Sequence, residues 1–312
     1  MQRILDPAQI ESFAERSIPR IRLPDPASLF SRRALRLRQL AEGHALGDYL
    51  NLMAVVAARQ QTAVGELVAA LAKEGFGQQI GRQLEVAREH RMPPLQAAGW
   101  PRQDRWQHVL DELCASVSEE SGFPEGVRLV CLRIREASAA EMNAQADLLV
   151  AARNEGVDAQ VAPFVMAALQ VYWVAMVSTL RLADVPPIDV PGVCPVCGTL
   201  PVASVVRSDR NGYRYLHCSL CSTEWHLVRI TCSQCLANEG IAYHTIEGGP
   251  DAIRAESCEQ CHTYRKILYQ EKDPEVEPVA DDLATLALDL LMTDAGFHRG
   301  SGNPLLWQNR DD

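Results

Sequence analysis

Four Cys-x-x-Cys pairs, Cys194/Cys197, Cys218/Cys221, Cys232/Cys235 and Cys258/Cys261, occupy one stretch of this chain and restrict its fold more than any other feature. They are separated by 20, 10 and 22 residues. The first and third pairs lie 38 residues apart and the second and fourth lie 40 apart, so one small unit is used twice. Two residues between cysteines let a tight turn aim both sulfurs at one ion, and a second pair returned by a hairpin completes a tetrahedral thiolate shell. Segments shorter than about 40 residues rarely fold without a disulfide, a metal or a partner. A bound metal contributes roughly 10–16 kcal/mol in small Cys/His sites. The pattern therefore predicts two metal ions, each the core of its own module.

Sequential use, first pair with second and third with fourth, follows from the repeat; an interleaved arrangement would not need one. Two closed shells leave no open coordination position, which argues against Lewis-acid catalysis. The spacing does not choose between zinc and iron, both of which accept four thiolates. The first pair, in Cys194-Pro195-Val196-Cys197-Gly198, has the rubredoxin-like form that zinc ribbons also use. His217, His226, His244 and His262 fall in the same region, but full cysteine shells assign them roles beside the metal or at the surface. Trp225 and Tyr264, just past the second and fourth pairs, read as packing residues of the modules.

The rest of the chain divides around these modules. Residues 1–185 read as a helical domain. Helical spacing of apolar residues begins after Asp25-Pro26 and continues through 49–72, then 105–117 with Asp104 as N-cap, and the alanine-rich 138–153. Arg32 and Arg36 share a helix face, read as solvated, with partner docking as the alternative. Cys114 and Cys131 stand alone here and read as small buried hydrophobes. The proline-rich linker from Asp184 to Gly192 changes the pattern. Beyond it come short strand-like runs at 203–206, 213–217, 225–230, 241–246 and 264–269. The first four-cysteine module is assigned to 186–231 and the second to 232–272. Residues 273–312 form a proline- and acid-rich spacer and a helix near 283–292 expected to dock on the helical domain. The expected fold is multidomain α+β: an N-terminal all-α bundle, two tandem rubredoxin-like or zinc-ribbon-like small β modules, and a C-terminal helix.

Composition narrows the function. The formal net charge is −10, and residues 190–272 carry equal numbers of acidic and basic side chains before the thiolates are counted. Nucleic-acid-binding ribbons are normally basic, so no nucleic-acid partner is expected. Residues 159–180 lack a charge, yet contain Pro163, Gln170, Ser178 and Thr179; they read as a buried helix and not as a stable membrane insertion. The run Met1 to Pro7 has no apolar export segment, which with abundant unpaired thiols predicts a cytoplasmic location. No phosphate loop, nucleophile elbow or distinctive carboxylate pair marks a catalytic centre, so no enzyme activity is expected.

At Tyr215-Leu216-His217-Cys218-Ser219-Leu220-Cys221, followed by Thr223-Glu224-Trp225-His226, the chain resembles the formate dehydrogenase accessory protein FdhE family. The likeness extends to the segment around Cys194, to Leu23-Pro24-Asp25-Pro26, and to 282–289. The resemblance implies a cytoplasmic assembly or maturation factor that binds the catalytic subunit of a respiratory formate dehydrogenase, with iron in preference to zinc in its metal sites. A rubredoxin-type electron-transfer protein is the alternative reading, and a zinc-ribbon nucleic-acid binder the second alternative.

Overall fold

A computed structural model of the chain describes residues 18–153, 155–208 and 212–306. The run Met1 to Pro7, the outer parts of the first and last sequence segments, and Asp209 and Arg210 of the charge balance lie outside the described residues. A short strand β1 (Ile21–Arg22) leads into helices α1 (Leu29–Ala41), α2 (Gly47–Glu74), α3 (Phe76–Gln79), α4 (Gly81–Glu89), α5 (Arg105–Glu119), α6 (Glu125–Glu136), α7 (Ala139–Val150) and α8 (Ala162–Val177). Gly75, at φ 70°, stops α2 by adopting the left-handed conformation that glycine takes without steric cost. Ser138 and Glu141 start α7 with a reciprocal capping box.

Every residue of α8 is buried, because α2, α5 and α7 pack around it. Its one strongly polar side chain is fully engaged: Gln170 Oε1 accepts from Arg33 at 3.1 Å and from Gln60 at 3.2 Å, and its amide donates to the Ser219 carbonyl at 2.8 Å. Burial of such a group requires partners of this kind. Among the described residues no helix is long and apolar enough to cross a membrane.

After residue 200 the chain forms β2 (Pro201–Val206), β3 (Arg214–Cys218), β4 (Glu224–His226), β5 (Ile241–His244), β6 (Ile253–Cys258) and β7 (Thr263–Tyr269). Then come α9 (Pro278–Ala284), α10 (Leu286–Asp294) and β8 (His298–Arg299). The expectation of two tandem modules meets a joined sheet of order β1-β4-β3-β2-β7-β6-β5, with β8 beside β7. The join is a parallel ladder pairing Ser204, Val205 and Val206 with Ile267, Leu268 and Tyr269. Across that seam the buried Arg214 of β3 and Glu256 of β6 form a 2.7 Å ion pair. β5 is left as an outer strand.

Several boundaries differ from the sequence reading. The run at 225–230 is strand only through His226; Ile230 turns to φ 59°, outside any strand. The C-terminal helix is two helices bent at Thr285. Glu277 caps α9, which lies against α1 and β2, while Leu288 and Met292 of α10 pack on Ala255 and Tyr264 of the second module. Arg36 is not a free docking residue. Its guanidinium holds Asp281 at 2.6 Å and Asp273 at 2.6 Å, fastening α1 to the terminal segment. The fully buried Arg33 does the same through Glu277 at 3.0 Å, whereas Arg32 is exposed.

Candidate metal centres

The structure gathers the eight cysteines into two groups, Cys194/Cys197/Cys218/Cys221 and Cys232/Cys235/Cys258/Cys261, with all sulfurs of a group within 4.8 Å of one another. A tetrahedral shell with metal–sulfur bonds of about 2.3 Å places its sulfurs about 3.8 Å apart. The close pairs fit that spacing: Cys194–Cys221 at 3.5 Å and Cys197–Cys218 at 3.4 Å in the first group, Cys232–Cys261 at 3.6 Å and Cys235–Cys258 at 3.7 Å in the second. A disulfide needs about 2.05 Å. All eight are free thiols, and each donor set suits a soft or borderline ion such as zinc or iron.

The knuckles are built alike. Cys194 N–H donates to Thr199 O at 2.9 Å and Gly198 N–H to Cys194 O at 2.8 Å, with Gly198 at φ 76°. Cys232 N–H donates to Ala237 O at 2.7 Å and Leu236 N–H to Cys232 O at 3.0 Å. Leu236 holds φ 64°, a conformation that costs a residue with a Cβ roughly 1–2 kcal/mol. Backbone N–H groups also point at sulfur: Cys221 to Cys218 at 3.3 Å and Gln234 to Cys232 at 3.4 Å.

Threonine hydroxyls add contacts that cysteine spacing alone misses. Thr199 Oγ1 lies 3.1 Å from both Cys197 and Cys218 Sγ, Thr223 Oγ1 3.2 Å from Cys221 Sγ, and Thr263 Oγ1 2.9 Å from Cys261 Sγ. A signal for them exists in the repeat, since threonine stands two places after the last cysteine in three of the four knuckles and alanine (Ala237) in the third. Burial opposes ionisation throughout the first group; the sulfurs around Cys218 and the Thr199 hydroxyl hold its thiol well below the usual range, while burial leaves its neighbours Cys194 and Cys221 well above it. At Cys261, burial is likewise outweighed by the Thr263 hydroxyl and backbone, bringing the thiol down to about 7. Hydrogen bonds to sulfur favour the thiolate that a metal requires.

The surroundings of the two groups differ. The first is buried throughout and is gripped by the connection between α4 and α5, with Leu95 N–H donating to Val196 O at 2.9 Å and Ala97 N–H to Cys197 O at 2.8 Å. Trp173 of α8 fixes that segment by donating to Leu95 O at 3.0 Å. Trp225 donates to Pro191 O at 2.7 Å just before the first knuckle, a brace beyond simple packing. In the second group Cys235 is exposed and Cys261 half-buried. Behind it Arg265 donates to Ser233 Oγ at 2.9 Å and to Pro201 O; burial, then repulsion from Arg214 and Arg299, pushes its pKa down to about 10.

No histidine joins either group among the described residues. His217 is buried 3.2 Å from Glu224, His244 lies 2.8 Å from Ser257 Oγ, His226 stands edge-on to Tyr213 and Tyr215, and His262 tilts over Phe297. Tyr264 donates to Asp289 at 2.8 Å. Cys114 and Cys131 meet in the helical core, where its neighbour's sulfur and burial push the Cys114 thiol up.

Family models described as "FdhE, N-terminal", "FdhE, central domain" and "FdhE, C-terminal domain" match residues 18–189, 193–229 and 230–306. The chain is 41% identical to the "Protein FdhE homolog" of Cronobacter sakazakii over 310 residues, covering 98% of this chain and 97% of that one. It is 39% identical, with the same coverage, to "Protein FdhE" of Salmonella choleraesuis. The crystal structure of the FdhE protein from Pseudomonas aeruginosa matches with a TM-score of 0.80 at 36% identity, covering 94% of this chain and 100% of that chain.

Proposed function

The chain belongs to the FdhE family, and from that premise we propose that it is a cytoplasmic accessory factor that binds the catalytic subunit of a respiratory formate dehydrogenase during its assembly or maturation. The observation carrying this reading is the near full-length match to FdhE relatives, coupled with two complete four-cysteine groups. Those groups would hold one metal ion each, through Cys194, Cys197, Cys218 and Cys221, and through Cys232, Cys235, Cys258 and Cys261. Iron is the metal the family resemblance favours. Closed thiolate shells support a binding or electron-passing role over Lewis-acid catalysis, so the protein is read as no enzyme.

The experiment is to delete the protein from a host that carries it and to capture partners on a tagged copy. Formate dehydrogenase activity should disappear while its catalytic subunit is still made, and the tagged chain should retain that subunit. Unchanged activity in the deletion strain would remove the proposal.

Exposure of Cys235 favours a second reading, in which the metal sites pass electrons as a rubredoxin does. Zinc has no second accessible oxidation state. Under this reading a zinc-loaded chain binds the catalytic subunit normally but fails to activate it. Equal activation by zinc and iron forms leaves a purely structural role for the metals.

A further inference from the structure

We propose that the two four-cysteine sites are unequal: Cys232, Cys235, Cys258 and Cys261 form an exchangeable site open to an external soft donor, such as a thiol, and the Cys194 group forms a permanent one. This rests on the metal-binding reading above. It adds that any metal or electron traffic with a partner passes the second site.

Burial is the first argument. Cys194, Cys218 and Cys221 are 0% exposed and Cys197 1%, whereas Cys235 is exposed and Cys261 half-buried. The second argument is what must open. The first two knuckles are held from outside their module by Leu95, Ala97 and the Gln170 amide, and Leu216 and Leu220 are buried around them. Reaching those sulfurs requires parting the helical core from the sheet, an opening whose free energy approaches that of global unfolding. At the second site a competing donor reaches Cys235 and Cys261 from solvent. The neighbouring chain is itself thinly covered, with Leu236 46% exposed and β5 at the margin of the sheet. Cys232 and Cys258 remain buried and keep the site's geometry while its outer ligands are contested.

The full-length chain loaded with zinc is challenged with a chromogenic chelator, and parallel samples are alkylated with iodoacetamide and mapped by peptide mass spectrometry. One of the two equivalents should leave at least about tenfold faster than the other, as local opening precedes global opening. Alkylation should appear at Cys235 and Cys261 before any cysteine of the first group. Release of both ions at one rate, or early labelling of Cys194 or Cys218, overturns the inequality and leaves the metal reading standing. Uptake of fewer than two ions overturns the metal reading and this inference with it.

Discussion

In the first module the four-cysteine group around Cys194 and Cys218 is backed by the helical domain, whereas in the second the sheet behind the group is backed by the segment 278–301. The first support is apolar and backbone-mediated: Leu95 and Ala97 pair with the knuckle, and Trp173, Leu216 and Trp225 are buried near it. The second is ionic. Lys266 of β7 sits fully buried between Asp282 at 3.6 Å and Asp289 at 2.6 Å, with Arg299 against both acids. Two copies of one metal-binding unit have thus been built into different kinds of core. Apolar wrapping seals a site and ties its fate to the domain around it; a buried charge network fixes geometry at a desolvation cost and leaves the site near the surface.

The largest effect expected from this contrast comes from emptying each site in turn. Replacing Cys194 and Cys197 by serine withdraws a metal worth roughly 10–16 kcal/mol from a point where helices and sheet are interlocked. Sequence spacing alone implies that the helical domain would be spared. The backbone bonds from Leu95 and Ala97 imply instead that its melting temperature falls and that soluble yield drops. The matching change at Cys232 and Cys235 should cost one ion and leave the helical melt near that of the wild type. Circular dichroism melts with metal analysis make the check; equal damage from both double variants would break the comparison.

A smaller effect tests the ionic side. Lys266→Met removes the cation that Asp282 and Asp289 share, and stranding a buried charge typically costs about 3–5 kcal/mol. Urea unfolding should lose stability on that scale while the first site keeps its ion. A change below about 1 kcal/mol would place Lys266 among pairs that only break even.

The cysteine grouping was legible because thiolate spacing is a local property, repeated twice. The helices at 49–72 and 105–117 were legible for a similar reason, as their apolar periodicity agrees with the observed α2 and α5. What escaped the sequence depends on distant partners. Strand β6 carries Arg254, Glu256 and Ser257, which look like a solvated loop until Arg214 of β3 is seen to neutralise Glu256. Of the pair Arg32 and Arg36, read as a wet helix face, Arg32 is exposed, but Arg36 is not free because its carboxylates lie more than 200 residues away at Asp273 and Asp281. The parallel join between β2 and β7 has no local signature either: each strand alone is consistent with the edge of a separate module. Helix α6 is short and its apolar residues do not mark one buried face, since Cys131 and Ile134 are buried while Leu129 and Leu132 are exposed.

The smallest effect asks whether the threonine contacts contribute to the difference between sites. Thr199 offers one hydroxyl hydrogen to two sulfurs, each 3.1 Å away, and sulfur in a metal shell carries negative charge. A hydrogen bond to a charged group contributes about 1.5–3 kcal/mol, so Thr199→Ala should weaken metal binding at the first site by roughly tenfold, the lower end, because the spared sulfurs retain their backbone donors. The third knuckle supplies the reciprocal experiment. Ala237 O accepts from Cys232 N–H as Thr199 O accepts from Cys194 N–H, so Ala237→Thr sets a hydroxyl beside Cys235 and Cys258, the counterparts of Cys197 and Cys218. Its gain should be less than the first site's loss, because water already solvates Cys235 and the new bond displaces an existing one. If the sites hold iron, the same pair of variants should shift reduction potential in opposite directions, lower for Thr199→Ala and higher for Ala237→Thr, since donors to sulfur stabilise the reduced, more negative shell. Chelator competition and voltammetry on each variant measure the two quantities. Equal and opposite changes at both sites would mean that the hydroxyl, and not the exposure of Cys235, sets the difference between them.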